Sequence, residues 1–100
     1  MYLIFTIKYM ISPIFTTKKY GKKIILPIDH QVLDEFSEPR GKSEIDQTDG
    51  VNIPPDKVAV DIGPKTLEMF KQKISAYDTV VWYGPVGVFE WRLTSKGTRE

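Results

Sequence analysis

Val58-Ala59-Val60-Asp61-Ile62-Gly63-Pro64-Lys65-Thr66-Leu67 is the stretch whose reading decides the fold. Its first five residues are an apolar, β-branched run of the length of a buried strand. Gly63-Pro64 breaks that run, and a helical pattern follows it. Leu67, Phe70 and Ile74 fall on one helical face while Lys71, Gln72 and Lys73 spread over the others. Thr66 is a first-turn hydroxyl, and Glu68 suits the positive end of the helix dipole. Strand, Gly-Pro, helix is therefore the order of this segment.

Two more apolar runs flank it. Ile24-Ile25-Leu26, stopped by Pro27 and followed by Asp29, reads as a strand. Thr79-Val80-Val81-Trp82, broken by Gly84-Pro85-Val86-Gly87, reads as another. Three buried strands with a helix between the last two indicate an α/β chain with a partial parallel sheet, right-handed connections and flanking helices. Tyr2–Ile11 fits either a strand or a short helix by periodicity, and a strand is expected. Residues 37–56 are polar and turn-rich (Glu38-Pro39-Arg40-Gly41, Asp49-Gly50, Pro54-Pro55) and read as a long surface loop, with an extended piece between Gln47 and Ile53.

Length and composition narrow the function. A chain of 100 residues is one small domain at most. It buries about 60–70% of its unfolded surface, too little for two lobes with a cleft between them. No cysteine and a single histidine, His30, exclude disulfide frameworks and zinc sites. The net charge of +1 gives no overall pull toward nucleic acid or membrane, although residues 1–27 carry five lysines and no acid while residues 28–50 carry seven acids against Arg40 and Lys42. Lys18-Lys19-Tyr20-Gly21-Lys22-Lys23 reads as a solvated turn before a strand rather than a nucleic-acid or membrane patch. Lys8 and Pro13 interrupt the apolar opening, which has neither the length of a membrane span nor the layout of a signal peptide. A cytoplasmic address is expected.

In open α/β sheets ligands bind outside the carboxyl ends of the strands, which directs attention to Asp61–Thr66 and Tyr83–Glu90. Gly84 and Gly87 let the backbone take positive φ or approach a flat ligand closely, and Pro85 stiffens the turn between them. Glu90 can accept hydrogen bonds from a diol such as a ribose. Ordinary turn chemistry selects the same glycines and proline, so physics alone leaves both readings open. Neither segment is a Walker-type phosphate loop. His30 is expected to be a packed or surface residue, not a base, and Lys65 a solvated lysine.

The words of these turns resemble the phosphoglycerate kinase family. Val60-Asp61-Ile62-Gly63-Pro64-Lys65-Thr66 and Val80-Val81-Trp82-Tyr83-Gly84-Pro85-Val86-Gly87-Val88-Phe89-Glu90-Trp91 carry the likeness, and the second string is highly specific. Lys23-Ile24-Ile25-Leu26-Pro27-Ile28-Asp29 and Lys96-Gly97-Thr98 support it on either side. The resemblance runs from about Lys22 to Thr98; Met1 to about Pro13 does not match the helix expected there. It implies a divergent segment over residues 1–21 and, over 22–100, part of the C-terminal, Rossmann-like nucleotide-binding domain of a two-domain glycolytic kinase.

That family moves a phosphoryl group reversibly between 1,3-bisphosphoglycerate and ADP, so the implied cofactor is ATP or ADP with Mg2+. Carried over by position, Glu90 corresponds to the carboxylate on the ribose hydroxyls, and Val60, Pro85 and Val88 to apolar contacts around the adenosine. Gly84 and Gly87 correspond to glycines of the same wall. Tyr83 departs from the pattern, since the family has Asn there, reaching the nucleotide phosphates. The resemblance also implies that the basic patch for the phosphoglycerate, a lysine-bearing strand turn and the Gly-rich metal-nucleotide loop lie outside this sequence. The expected partner is an adenine nucleotide, with 3-phosphoglycerate only if an N-terminal domain is supplied. Neither nucleic acid nor membrane is expected. A non-catalytic nucleotide-binding module and a fragment that self-associates through exposed sheet edges are the alternatives.

Overall fold

The computed structural model describes residue 21 and residues 23–100. The expected element at Tyr2–Ile11 lies outside the described residues. The architecture is α/β: a three-stranded sheet in the order β2-β1-β3, a twelve-residue helix, and a short C-terminal helix. The strands are β1 (His30–Leu33), β2 (Asp46–Gln47) and β3 (Val58–Ile62); the helices are α1 (Pro64–Ser75) and α2 (Lys96–Arg99). Single 3-10 turns occupy Lys42–Glu44 and Arg92–Thr94.

The strand at Val58–Ile62 and the helix after Gly63 fall where the sequence places them. Two other expectations are corrected. Ile24–Leu26 and Thr79–Trp82 enter no ladder, and Leu26, Val80, Val81 and Trp82 are exposed, Val81 to 77%. An apolar run becomes a strand only when another strand satisfies its backbone, and no described strand lies beside either segment. The sheet is antiparallel, not parallel. β1 and β3 are joined by the residues 34–57, which fold back through β2 without a crossover helix, so neighbouring strands reverse direction. That connection is the expected surface loop, and it contributes β2 and the Lys42–Glu44 turn.

β1 was hidden in His30-Gln31-Val32-Leu33, where the alternation is too short to register. Thr48 fixes its start: the His30 N–H donates to Thr48 Oγ1 at 2.9 Å and the Thr48 N–H returns to the His30 carbonyl at 2.9 Å. Lys57, just ahead of β3, forms ion pairs with Asp34 and Asp46, which hold its ammonium above the ordinary lysine range. These are surface pairs that set direction more than stability.

Val32, Leu33, Val60, Ile62 and Leu67 form the core. At about 1.5–3 kcal/mol for each fully buried side chain, a core of five is modest. The apolar stripe of α1 is covered only at its first turn: Leu67 is buried, Phe70 half-buried and Ile74 exposed. The anchorage of α1 therefore lies at its N-terminus and is polar.

Asp29 and Thr66 make that anchorage. The Asp29 carboxylate accepts the Thr66 N–H at 2.8 Å and the Lys65 N–H at 3.0 Å, thereby capping two free amides of the first turn from a distant segment. It also accepts a short hydrogen bond from the Thr66 hydroxyl, whose oxygen receives the N–H groups of Ile28 and Asp29, each at 3.0 Å. Both side chains are buried. Gly63, with ordinary extended backbone, donates its N–H to the Asp29 carbonyl at 2.9 Å, and a Cβ there would fall inside the Asp29 carboxylate. Glycine is demanded by crowding at this position, not by dihedral angle.

Burial pushes the Asp29 carboxyl upward, but the hydroxyl and N–H of Thr66, the Lys65 N–H and the Lys65 charge outweigh it and hold the pKa below the ordinary aspartate value. The stabilisation is present above the unfolded-state pKa and disappears as pH falls through the lowered folded one. Asp29→Ala is expected to cost about 2–3 kcal/mol in urea unfolding near neutral pH, since it orphans several donors at once. Asp29→Asn should also lose the Asp29 share of the acid-side fall in stability that is expected of the wild-type chain below about pH 4.

Candidate nucleotide-facing turn

The candidate site is built on the carboxyl end of β3. Along the β1–β3 ladder His30 faces Ile62 and Gln31 faces Asp61, but Val32 faces Ala59, so the register slips and Val60 has no partner across the ladder. A bulge of this kind frees backbone groups for another use. The Val60 carbonyl accepts the Val88 N–H at 2.8 Å, which seats the 84–88 turn on the strand. The Val88 carbonyl in turn accepts the buried Thr94 hydroxyl at 2.7 Å, and the Val86 N–H donates to Thr98 Oγ1 at 3.2 Å. The turn is therefore tied to β3, to the Arg92–Thr94 turn and to α2.

Asp61 lies beneath it. Its carboxylate is buried and accepts the Ile62 N–H at 2.8 Å and the Gly97 N–H at 3.0 Å. A Cβ on Gly87 would stand 2.5 Å from Asp61 Oδ1 and 2.8 Å from the Val60 carbonyl oxygen. Burial pushes the Asp61 carboxyl above the ordinary aspartate value, and the backbone N–H groups of Gly97, Ile62 and Lys96 only partly offset it.

Of the residues singled out in the sequence, the structure brings Val60, Gly87 and Val88 together. Tyr83, Gly84, Pro85 and Glu90 stand in solvent, Tyr83 at 99% exposure. Gly84 has open space around its Cα. The freedom of φ expected at Gly84 and Gly87 is not used: among the described residues only Gly21 has positive φ. Gly87 is glycine because Asp61 and the β3 backbone press against it. His30 is a half-buried strand residue, and the exposed Lys65 ammonium pairs with Asp49 at 3.1 Å. Phe36 packs on Trp91, with ring centroids 4.9 Å apart and planes tilted by 43°.

Of the residues that hold the site together, sequence reasoning passed over Thr94 and quoted Asp61 and Thr98 within their segments without giving them a role. Asp61 left a signal, an acid inside an apolar strand, which must find donors once buried. Thr94 left none. Among the described residues no group of three or more His, Cys, Asp or Glu side chains could hold a metal ion, and no helix is long and apolar enough to cross a membrane.

A strand whose end carries a docked Gly-Pro turn, followed by a helix seated on a distant aspartate, defines an α/β unit of a recognisable kind. The phosphoglycerate kinase family model matches residues 7–100. The phosphoglycerate kinase of Borrelia turicatae (strain 91E135) is 47% identical over 81 residues, covering 81% of this chain and 20% of that protein. The phosphoglycerate kinase of Lactobacillus delbrueckii subsp. lactis is 43% identical over 83 residues, 83% of this chain and 20% of that protein. The structure of phosphoglycerate kinase from Coxiella burnetii superposes with a TM-score of 0.74 at 29% identity, over 85% of this chain and 21% of that one. The chain belongs to the phosphoglycerate kinase family. It spans about a fifth of the length of the curated relatives it matches.

The two glycines of the turn give a contrast that tests its geometry. Gly87→Ala forces either Asp61 or the β3 backbone to move and should destabilise the chain by about 1–3 kcal/mol. Gly84→Ala meets nothing and should stay within about 0.5 kcal/mol of wild type in the same urea titration.

Proposed function

We propose that residues 22–100 form part of the C-terminal, nucleotide-binding domain of a phosphoglycerate kinase and supply the wall on which the adenosine of ATP or ADP rests. The reaction served is reversible phosphoryl transfer. A β-phosphate oxygen of ADP attacks the acyl phosphate of 1,3-bisphosphoglycerate, the bond from phosphorus to the C1 oxygen breaks, and 3-phosphoglycerate and ATP result. What carries the reading is the hydrogen bond from the Val88 N–H to the Val60 carbonyl, left without a ladder partner, which seats on β3 the turn within the segment that most resembles the family. In this reading Glu90, an exposed carboxylate three residues beyond Gly87, accepts the ribose hydroxyls. Pro85 and Val88 offer apolar contact to the base, Val60, whose side chain is buried in the core, contributes by holding Val88 through its carbonyl, and Gly84 and Gly87 keep the wall flat. Tyr83 presents a phenol toward the phosphate end.

Phosphoryl transfer is positioning plus charge neutralisation, and it draws on cations and N–H donors gathered around the moving group. Mg2+ supplies charge neutralisation on the phosphates when bound, but it has no cage of three or more protein ligands among the described residues. Lys65, the cation at the start of α1, is paired with Asp49. The function proposed for this chain by itself is accordingly nucleotide binding without turnover.

Calorimetry with ADP tests it. The wild-type chain should bind ADP in the millimolar range, and Glu90→Ala should weaken that binding about tenfold, as expected for the loss of one or two hydrogen bonds. No heat at millimolar ADP removes the reading. In a steady-state assay with ATP and 3-phosphoglycerate the chain should give no rate, and a rate abolished by Glu90→Ala would overturn the prediction of inactivity.

The exposed run Val80-Val81-Trp82 favours a second reading, self-association through unpaired backbone and apolar surface. Light scattering should then give a mass that rises with concentration; a stable dilute monomer rejects it.

A further inference from the structure

We propose that Asp61 is a positioning residue for the nucleotide wall: its buried carboxylate, clasped by the Gly97 N–H and pressed against Gly87, sets the height of the 84–88 turn above β3. The inference rests on the nucleotide-binding reading of that turn. Three observations converge on it. Asp61 Oδ2 accepts the Gly97 N–H at 3.0 Å, and Oδ1 is held by the Ile62 N–H at 2.8 Å, so the carboxylate cannot rotate away. A Cβ on either Gly87 or Gly97 would stand 2.5 Å from Oδ1, so both segments approach this one group too closely for any side chain. Gly97 is followed by Thr98, whose hydroxyl receives the Val86 N–H, so the residue Asp61 grips is bonded to the one that holds the other side of the turn.

Asp61 itself touches no ligand in this arrangement. It acts through Gly87 and Gly97 on Val88, whose N–H must reach the Val60 carbonyl for the wall to close. Gln31 lies opposite in β1, and the titratable or charged groups on the packed elements are His30 on β1, Arg92 on the turn before α2, Lys96 and Arg99 on α2, and Tyr83 and Glu90 flanking the 84–88 turn. Burial places the Asp61 titration above that of an ordinary aspartate, which separates it from exposed carboxylates.

Two-dimensional amide NMR of the 100-residue chain between pH 3 and 8, with and without ADP, reads the proposal directly. The Gly97, Gly87 and Val88 amides should titrate together with a midpoint above the ordinary aspartate value, and Asp61→Asn should abolish that shared transition. ADP binding to Asp61→Asn at neutral pH should be about tenfold weaker than wild type, with Glu90 still present. If the Gly97 amide titrates while Gly87 and Val88 do not, Asp61 merely caps α2 and the proposal falls. If wild type and Asp61→Asn bind ADP equally, it falls as well. A wild-type chain whose three amides titrate together but which binds no ADP overturns the nucleotide reading and leaves the coupling of Asp61 to the turn standing. The titration needs no variant, so a failure of Asp61→Asn to fold leaves the test intact.

Discussion

The seating of α1 on Asp29 is the constraint from which the rest of the structure follows. A helix whose apolar stripe is covered over only one turn cannot be held by burial alone, and here two amides and a hydroxyl at its N-terminus converge on one carboxylate from 36 to 37 residues earlier in the chain. That contact fixes where β3 must end, because Gly63 passes so close to Asp29 that no side chain fits. Once the end of β3 is fixed, so are Asp61 and Val60, on which the 84–88 turn depends. The order of dependence runs from a polar cluster outward, with the small apolar core filling the space that cluster defines.

Two buried aspartates do opposite electrostatic work within this frame. Asp29 has donors enough to favour its ionised form despite burial, and its pKa is held down. Asp61 is met by backbone N–H groups alone, with no hydroxyl donor beside them, and burial wins. For Asp61 the sign of the linkage is reversed: its contribution is most favourable below the unfolded-state pKa and is lost as pH rises through the raised folded one, so at neutral pH its ionisation opposes folding. A residue whose ionisation opposes the fold yet which holds two turns in register fits a role in the site.

Legibility in the sequence followed the locality of the forces. Val58–Thr66 was readable because a β-branched run, a Gly-Pro break and a 3.6-residue stripe are all encoded within a few positions. The family was readable in Tyr83–Trp91, where word and spacing are specific. The antiparallel sheet was not readable, since strand direction depends on how residues 34–57 return to β1, and β1 itself consists of four residues with two polar side chains. Ile24–Leu26 and Thr79–Trp82 look like strands by composition, but strand formation is decided by a neighbour. At the site, the contact of Val60 with Val88 is seen only in the structure, and Thr94 and Thr98 act through contacts that no local pattern announces. At Gly87 the sequence left open a positive φ or a close approach of the backbone; the structure shows crowding by Asp61 and β3, not a left-handed conformation.

The slip of register at Val60 makes the length of β3 a functional quantity. Between Gln31 and Val32 the strand holds one residue more than its partner can pair, and that surplus residue is the one whose carbonyl receives Val88. A version of this strand shortened by one residue would complete the ladder and gain a better sheet, while leaving the turn with nowhere to dock. Regularity and docking compete for the same carbonyl, so an irregular strand is the form that can carry a turn at its end.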